Sequence, residues 1–440
     1  MLIRLGVIVV MSRSTIVSVY AQEVYTDRGH PGVEAVVKTE NGSCGRAACT
    51  SGVSIGSHEV AFNFDKSSRF RGKGVQSAVN NVNKIIAPAL IGMNAANQLA
   101  IDNAMLTIMP DAKIKLGGNA IAAVSAAALK AGATAQDIPL YQHIGGVGAM
   151  YMPTPGVMIA GGSNRYGGGI SSGGGKPTYS IMLHGFKSFS EASYAGWEIQ
   201  QTWLEVIRGR MPDAQPNDKG MVHIPAGVLK SDEELWELMN KTIIKAGCEG
   251  KCGLQVDIAT DTYHNKEDDK YYGLFSDQPK TVDDLFRIYE KMANEYNFIV
   301  LEDPFNEDDY ENTATLTKML GIQIVGDDLF TTSPERVRYG ISKGAANTVL
   351  LKVNQIGTIT ESLEMVALAY KAGYGVMPNS SRGEGNDIAD YAVGINAGTI
   401  RERACYPVGN RFLEIEKELG NRAIFLGLEG FMGSRFRQKK

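Results

Sequence analysis

The chain is poor in cysteine and carries almost no net charge, and each shortage excludes something. Five cysteines in 440 residues (Cys44, Cys49, Cys248, Cys252 and Cys405) are few and odd in number. That favours free thiols and a reducing compartment over a disulfide framework. Cys248-x-x-x-Cys252 has no His or Cys partners at a zinc-finger spacing, which argues against a structural zinc. The formal net charge is −4 with a pI near 6.0 and no basic stripe, so nucleic acid is not an expected partner. No apolar run approaches the ~20 residues of a membrane span. The opening run MLIRLGVIVV is short for a signal peptide and no clear A-x-A site follows, while Met11 offers an alternative start. A soluble, cytoplasmic protein is expected.

What the chain does have is length and a hydrophobic content of 44%, enough for two domains. Residues 15–40 alternate apolar and polar positions around DRGHPG, as a β-hairpin or meander does. Residues 75–145 place Ala, Ile and Leu at helical spacing, including GGNAIAAVSAAALKAGA. These predict an α+β N-terminal domain over 11–150. Over 151–440, apolar runs such as YSIML and TVLLKV alternate with amphipathic segments such as TVDDLFRIYEKMANEY. Strand–helix alternation of that length fits a β/α barrel, with a doubly wound sheet as the alternative. The glycine-dense stretch GGSNRYGGGISSGGGKPT is not a nucleotide P-loop: Ile170 takes the first glycine position, and Pro177 takes the Ser/Thr position after Lys176. It reads as a surface loop.

Four segments of the second domain carry the chemistry. Asp257 in GLQVDIATD, Glu302 in FIVLEDPF, Asp327 in IQIVGDDL and Lys352 in VLLKVNQIG each follow a short apolar run that reads as a buried parallel strand. Three carboxylates at successive strand ends can hold a hard divalent cation. A lysine beyond them can serve as a base.

The segments SVYAQEVYTDRGHPGVEA, SGVSIGSHE, GKGVQSAVNNVNKIIAPAL, LEDPFNEDDY, QIVGDDLFTTSPERV and LLKVNQIGTITES together resemble the enolase family, collinearly from about Thr15 to about residue 425. The resemblance implies an α/β fold: a C-terminal β/α (TIM-type) barrel with an α+β N-terminal capping domain. It also implies Mg²⁺ and a homodimer. Residue by residue, Asp257, Glu302 and Asp327 match the family's metal-binding carboxylates. Lys352 matches the base that removes the proton α to the substrate carboxylate, and Ser54 matches a loop serine associated with a second magnesium. Such a reaction creates a dianionic intermediate, which only cations placed beforehand make accessible.

Other family positions are altered. Asn164 stands where the family has a histidine after Gly-Gly-Ser, and Thr178 where it has an acid. Val222, in KGMVHIPAG, stands where it has the carboxylic acid that assists departure of the hydroxyl. His223 is adjacent, but a neighbour on a strand points to the other face. At the anion-binding end, Ser380 and Ser381 replace a histidine and an arginine, Arg382 falls one place late, and Arg401 replaces a lysine that binds the substrate carboxylate. Loss of one general acid typically costs ~10²–10⁴ in rate. Two functions follow as expectations. One is a divergent, Mg²⁺-dependent lyase that abstracts the proton α to a carboxylate through an enolate, acting on 2-phosphoglycerate/phosphoenolpyruvate or a related small phosphorylated or hydroxylated carboxylic acid. The other is a catalytically impaired paralogue kept as a scaffold or cytoskeletal component of a larger protein assembly.

Overall fold

A computed structural model describes residues 13–26, 29–52, 56–162, 164–167 and 176–436. The opening apolar run, Ser54 and half of the glycine-dense stretch therefore lie outside the described residues. The chain forms two compact units: one of 1–51, 60–143 and 353–360, the other of 52–59, 144–352 and 361–440.

In the first unit the alternating segment forms strands β1 (Ile16–Tyr25) and β2 (Pro31–Thr39), and β3 (Cys44–Cys49) completes an antiparallel meander in the order β1-β2-β3. The alanine-rich stretch is helix α2 (Gly118–Ala135), preceded by α1 (Gln98–Thr107). Small residues let α2 press onto the sheet. A Cβ on Gly45 would stand 2.0 Å from the Ala127 carbonyl oxygen, so only glycine fits there. Asp102 of α1 is fully buried. It accepts hydrogen bonds from Ser125 Oγ (2.6 Å), Gln98 Nε2 (3.0 Å), and the Thr360 amide (2.9 Å) and hydroxyl (2.6 Å).

The second unit holds a nine-stranded sheet, eight of whose strands form one continuous path. They are β4 (Thr154–Gly161), β5 (Thr178–Leu183), β6 (Cys252–Asp257), β7 (Phe298–Glu302), β8 (Gln323–Gly326), β9 (Thr348–Leu351), β10 (Gly375–Pro378) and β11 (Thr399–Ile400). From β6 to β10 every neighbouring pair is parallel, whereas β5 runs antiparallel to both β4 and β6. The last strand pairs with β4, and the Arg401 amide donates to the Pro378 carbonyl (3.3 Å), which closes the barrel. Strands β5 to β10 are buried at every position, as expected where both faces are covered. Met182, Val300, Val325, Leu350, Met377 and Phe431 pack one core cluster.

Four of the helices between the strands begin at side-chain caps. Ser188 caps α3 (Phe189–Arg208), and α4 (Asp232–Lys245) follows. Thr281 and Asp284 form a capping box on α5 (Val282–Glu295). Asp309 caps α6 (Tyr310–Leu320) and Ser333 caps α7 (Pro334–Lys343). Each cap places the chain's turn between strand and helix, where barrel chemistry sits.

Candidate active site

Parallel register brings the four expected groups to one end of the barrel. Asp257 and Glu302 are the last residues of β6 and β7 and lie side by side in register. Asp327 directly follows β8 and Lys352 directly follows β9. All four are buried.

Lys352 Nζ lies 2.7 Å and 2.5 Å from the two oxygens of Asp327. Burial would raise the Asp327 carboxyl, but the charges of Lys352 and Arg382 outweigh it and hold it down at about 2. Glu302 differs. Both of its oxygens are buried without a hydrogen bond. Arg401 Nη1 comes within 3.1 Å of Oε1 as an ion pair, without hydrogen-bond alignment. Burial pushes Glu302 up to about 7, against the pull of Arg401.

Carboxylate oxygens of Glu302, Asp303 and Asp327 lie within 4.8 Å of one another. Asp257 stands outside that group, paired instead with Lys176 and with Arg401. Asp303 was not singled out in the sequence, although it follows Glu302 directly. Its backbone is left-handed (φ 45°), and its two oxygens accept from the Asp327 amide (2.9 Å) and the Asp328 amide (3.0 Å). It therefore fixes the turn that presents Asp327. An all-oxygen donor set, with one buried carboxylate lacking any hydrogen bond, fits a hard divalent cation.

Lys176, the last residue before Pro177 in the glycine-dense stretch, also reaches the site, paired with Asp257. It is pushed down to about 8, by burial first and then by the Arg401 charge. Its one sequence signal is position: it directly precedes Pro177 and β5. Thr178, the first residue of β5, is buried and in register with Asp257. Val222 is fully buried and His223 is exposed, on opposite faces of a two-residue strand beside Ala160 and Gly161. Asn164 has a left-handed backbone (φ 62°). The next residue, Arg165, is buried and forms a two-pronged pair with Asp232 (3.1 and 2.8 Å), to which Tyr166 and Tyr179 also donate.

At the anion end, Arg382 is buried and held by Glu59, with Nε 3.0 Å from Oε2 and a second contact from Nη2. A Cβ on Gly52 would fall 2.1 Å from Arg382 Nη1, so that glycine makes room for the guanidinium. Ser381 Oγ accepts from Arg382 Nη1 (3.1 Å), and the Ser380 carbonyl accepts from Arg403 (2.6 Å). Arg401 is shared among Asp257, Glu302 and Glu402.

With this geometry in place, the likeness to known proteins is decisive. The family model described as "Enolase, N-terminal domain" matches residues 16–144, and "Enolase, C-terminal TIM barrel domain" matches 150–433. The chain belongs to the enolase family. Among its curated relatives, the enolase of Methanococcus aeolicus is 40% identical over 418 residues, covering 92% of this chain and 96% of the relative. The enolase of Solanum lycopersicum is 38% identical over 442 residues, covering 94% and 98%. Membership in the enolase family supports an enolase-like lyase function. No helix among the described residues is long and apolar enough to cross a membrane.

Proposed function

We propose that this chain is a divergent enolase-family lyase that removes the proton α to the carboxylate of a small phosphorylated or hydroxylated acid. The observation that carries this reading is the buried carboxylate group with Lys352 against it and Glu302 left without a hydrogen bond. Glu302 and Asp327, with Asp257 once its cationic partners yield, would hold Mg²⁺. When bound, the ion would supply positive charge facing the developing enolate.

The chain's own residues do the rest. Lys352, with its Nζ aimed at the acidic group, is placed to take the proton at the substrate's α-carbon. Arg401, buried and permanently charged, can grip a carboxylate with two N–H groups where a lysine would offer a point charge. Arg382 and Ser381 are the groups nearest to an anion clamp, although Glu59 already neutralises Arg382. A cytoplasmic homodimer, divided into domains near residue 150, belongs to the same reading.

One observation favours a second reading. At the position of the family's departing-group acid stands Val222, fully buried and apolar, with Thr178 in place of the partner acid. A paralogue that keeps the metal end but serves as a scaffold would look like this.

Turnover of 2-phosphoglycerate or a related α-hydroxy acid by purified protein, with and without Mg²⁺, separates the two. Activity lost in Lys352→Ala supports the lyase. No Mg²⁺-dependent rise in melting temperature and no turnover would leave the scaffold reading, which co-purification with a large assembly at constant stoichiometry would support.

A further inference from the structure

Away from the acidic site, two turns in succession bring a pair of thiols together. Helix α4 ends in a Schellman motif. Gly247 is left-handed (φ 67°), its amide donates to Ile244 (3.0 Å), and the Cys248 amide donates to Ile243 (3.0 Å). Cys248 then opens a tight turn in which the Lys251 amide donates to its carbonyl (3.0 Å), with Gly250 (φ 72°) supplying the positive φ that a type II turn needs at its third position. The next residue, Cys252, starts β6. Both backbones are thus pinned, Cys248 by the helix end and Cys252 by pairing with Leu183 on β5. Cys248 Sγ donates to the Ala246 carbonyl (3.5 Å), the Cys252 thiol lies close enough to interact with it, and both thiols are free.

We propose that Cys248 and Cys252 form a reversible dithiol site, oxidised by hydroperoxides to an intramolecular disulfide. The electrostatics assign the roles. Cys248 is held below the ordinary thiol value by the hydrogen bond from Cys252 and by the Lys251 ammonium. Cys252 is pushed up as the donor of that bond and by burial. Cys248 thiolate attacks one peroxide oxygen, the O–O bond breaks, and Cys248 becomes a sulfenic acid as the first water or alcohol leaves. Cys252 sulfur then attacks the sulfenic sulfur. The S–S bond forms, the S–O bond breaks, and the Cys252 proton leaves with the hydroxyl as water. Two electrons have passed from the thiols to the peroxide, and a reducing thiol reverses the step by exchange. Cys248 and Cys252 are themselves buried, and the exposed turn of Glu249, Gly250 and Lys251 is the route by which a small peroxide would reach them. The site stands independently of the lyase reading.

Its test uses the sequence itself. Trypsin cuts after Lys245, Lys251 and Lys266, so the two cysteines fall on separate peptides, 246–251 and 252–266. Native protein is treated with hydrogen peroxide, alkylated during unfolding and digested without reductant. The expected result is the two peptides joined, lighter than their sum by two hydrogens, and separated again by dithiothreitol. In Cys252→Ser the link disappears, and a 1,3-dione reagent captures Cys248 as its sulfenic acid. Exposed Cys44 serves as the internal clock. Recovery of both peptides singly alkylated from protein already oxidised at Cys44 overturns the proposal, as does a link from Cys248 to any other cysteine.

Discussion

Asp102 and Glu302 are both fully buried carboxylates, each raised above the ordinary carboxyl range by burial, yet their surroundings are opposite. Asp102 accepts four hydrogen bonds from Gln98, Ser125 and Thr360. Glu302 accepts none, and Arg401 stands beside it only as a misaligned ion pair. A buried polar group normally finds its partners. Asp102 obeys that rule and acts as a structural tie between α1, α2 and the segment at Thr360. Glu302 breaks it at a strand end, beside a lysine. The difference separates a group that serves the fold from one held ready for something outside the chain.

The comparison can be broken most severely at the reactive end. Lys352→Ala should reduce any α-proton abstraction on the order of 10²–10⁴-fold. Exchange of the substrate's α-hydrogen with deuterated solvent, followed by NMR, measures this step apart from the departure of a hydroxyl. An undiminished exchange rate would remove Lys352 as the base.

Next comes the structural carboxylate. Asp102→Ala leaves the Ser125 hydroxyl and the Thr360 amide buried without an acceptor, and should cost about 3 kcal/mol by urea denaturation. Glu302→Gln is the contrasting case. Arg401 keeps Asp257 and Glu402 as partners, so the loss should stay under about 1 kcal/mol. The same substitution should abolish the stabilisation by Mg²⁺, read as a rise in melting temperature and worth about 2.7 kcal/mol at 100 times Kd in the unaltered protein. A Glu302→Gln protein as destabilised as Asp102→Ala would erase the distinction.

The smallest effect sharpens the comparison with an exposed carboxylate. Asp284 is held down at about 2, chiefly by hydrogen bonds from the Thr281 side chain and amide in the capping box. A depressed carboxyl stabilises the fold above its unfolded value and loses that contribution as pH falls. The advantage of the unaltered chain over Asp284→Ala should be about 0.5–1 kcal/mol at pH 7. It should fade as pH falls from 3.8 toward about 2, read as melting temperature against pH.

The strand-borne half of the site was legible in the sequence. Asp257, Glu302, Asp327 and Lys352 each end an apolar run, and a parallel strand turns that pattern directly into position. What escaped were the partners set by tertiary packing. Asp303 was overlooked because its part depends on a left-handed turn, which the letters of LEDPF do not announce. Lys176 was hidden by the glycine-dense text before it. Glu59 reaches Arg382 across more than three hundred residues of sequence, a distance no local pattern spans. The antiparallel β5 was equally silent, since a buried strand reads the same in either direction.

Main-chain register sets the spacing of Asp257 and Glu302, and Asp327 and Lys352 stand one residue past their strands. Asn164, Ser380, Ser381 and Arg382 are carried by the connections beyond the strands. The barrel is therefore modular across its mouth. A lineage can rewrite the connections, and with them the molecules it accepts, while the strand-held charges stay in place. Grafting loops between relatives should shift substrate range before it disturbs the proton-abstracting end.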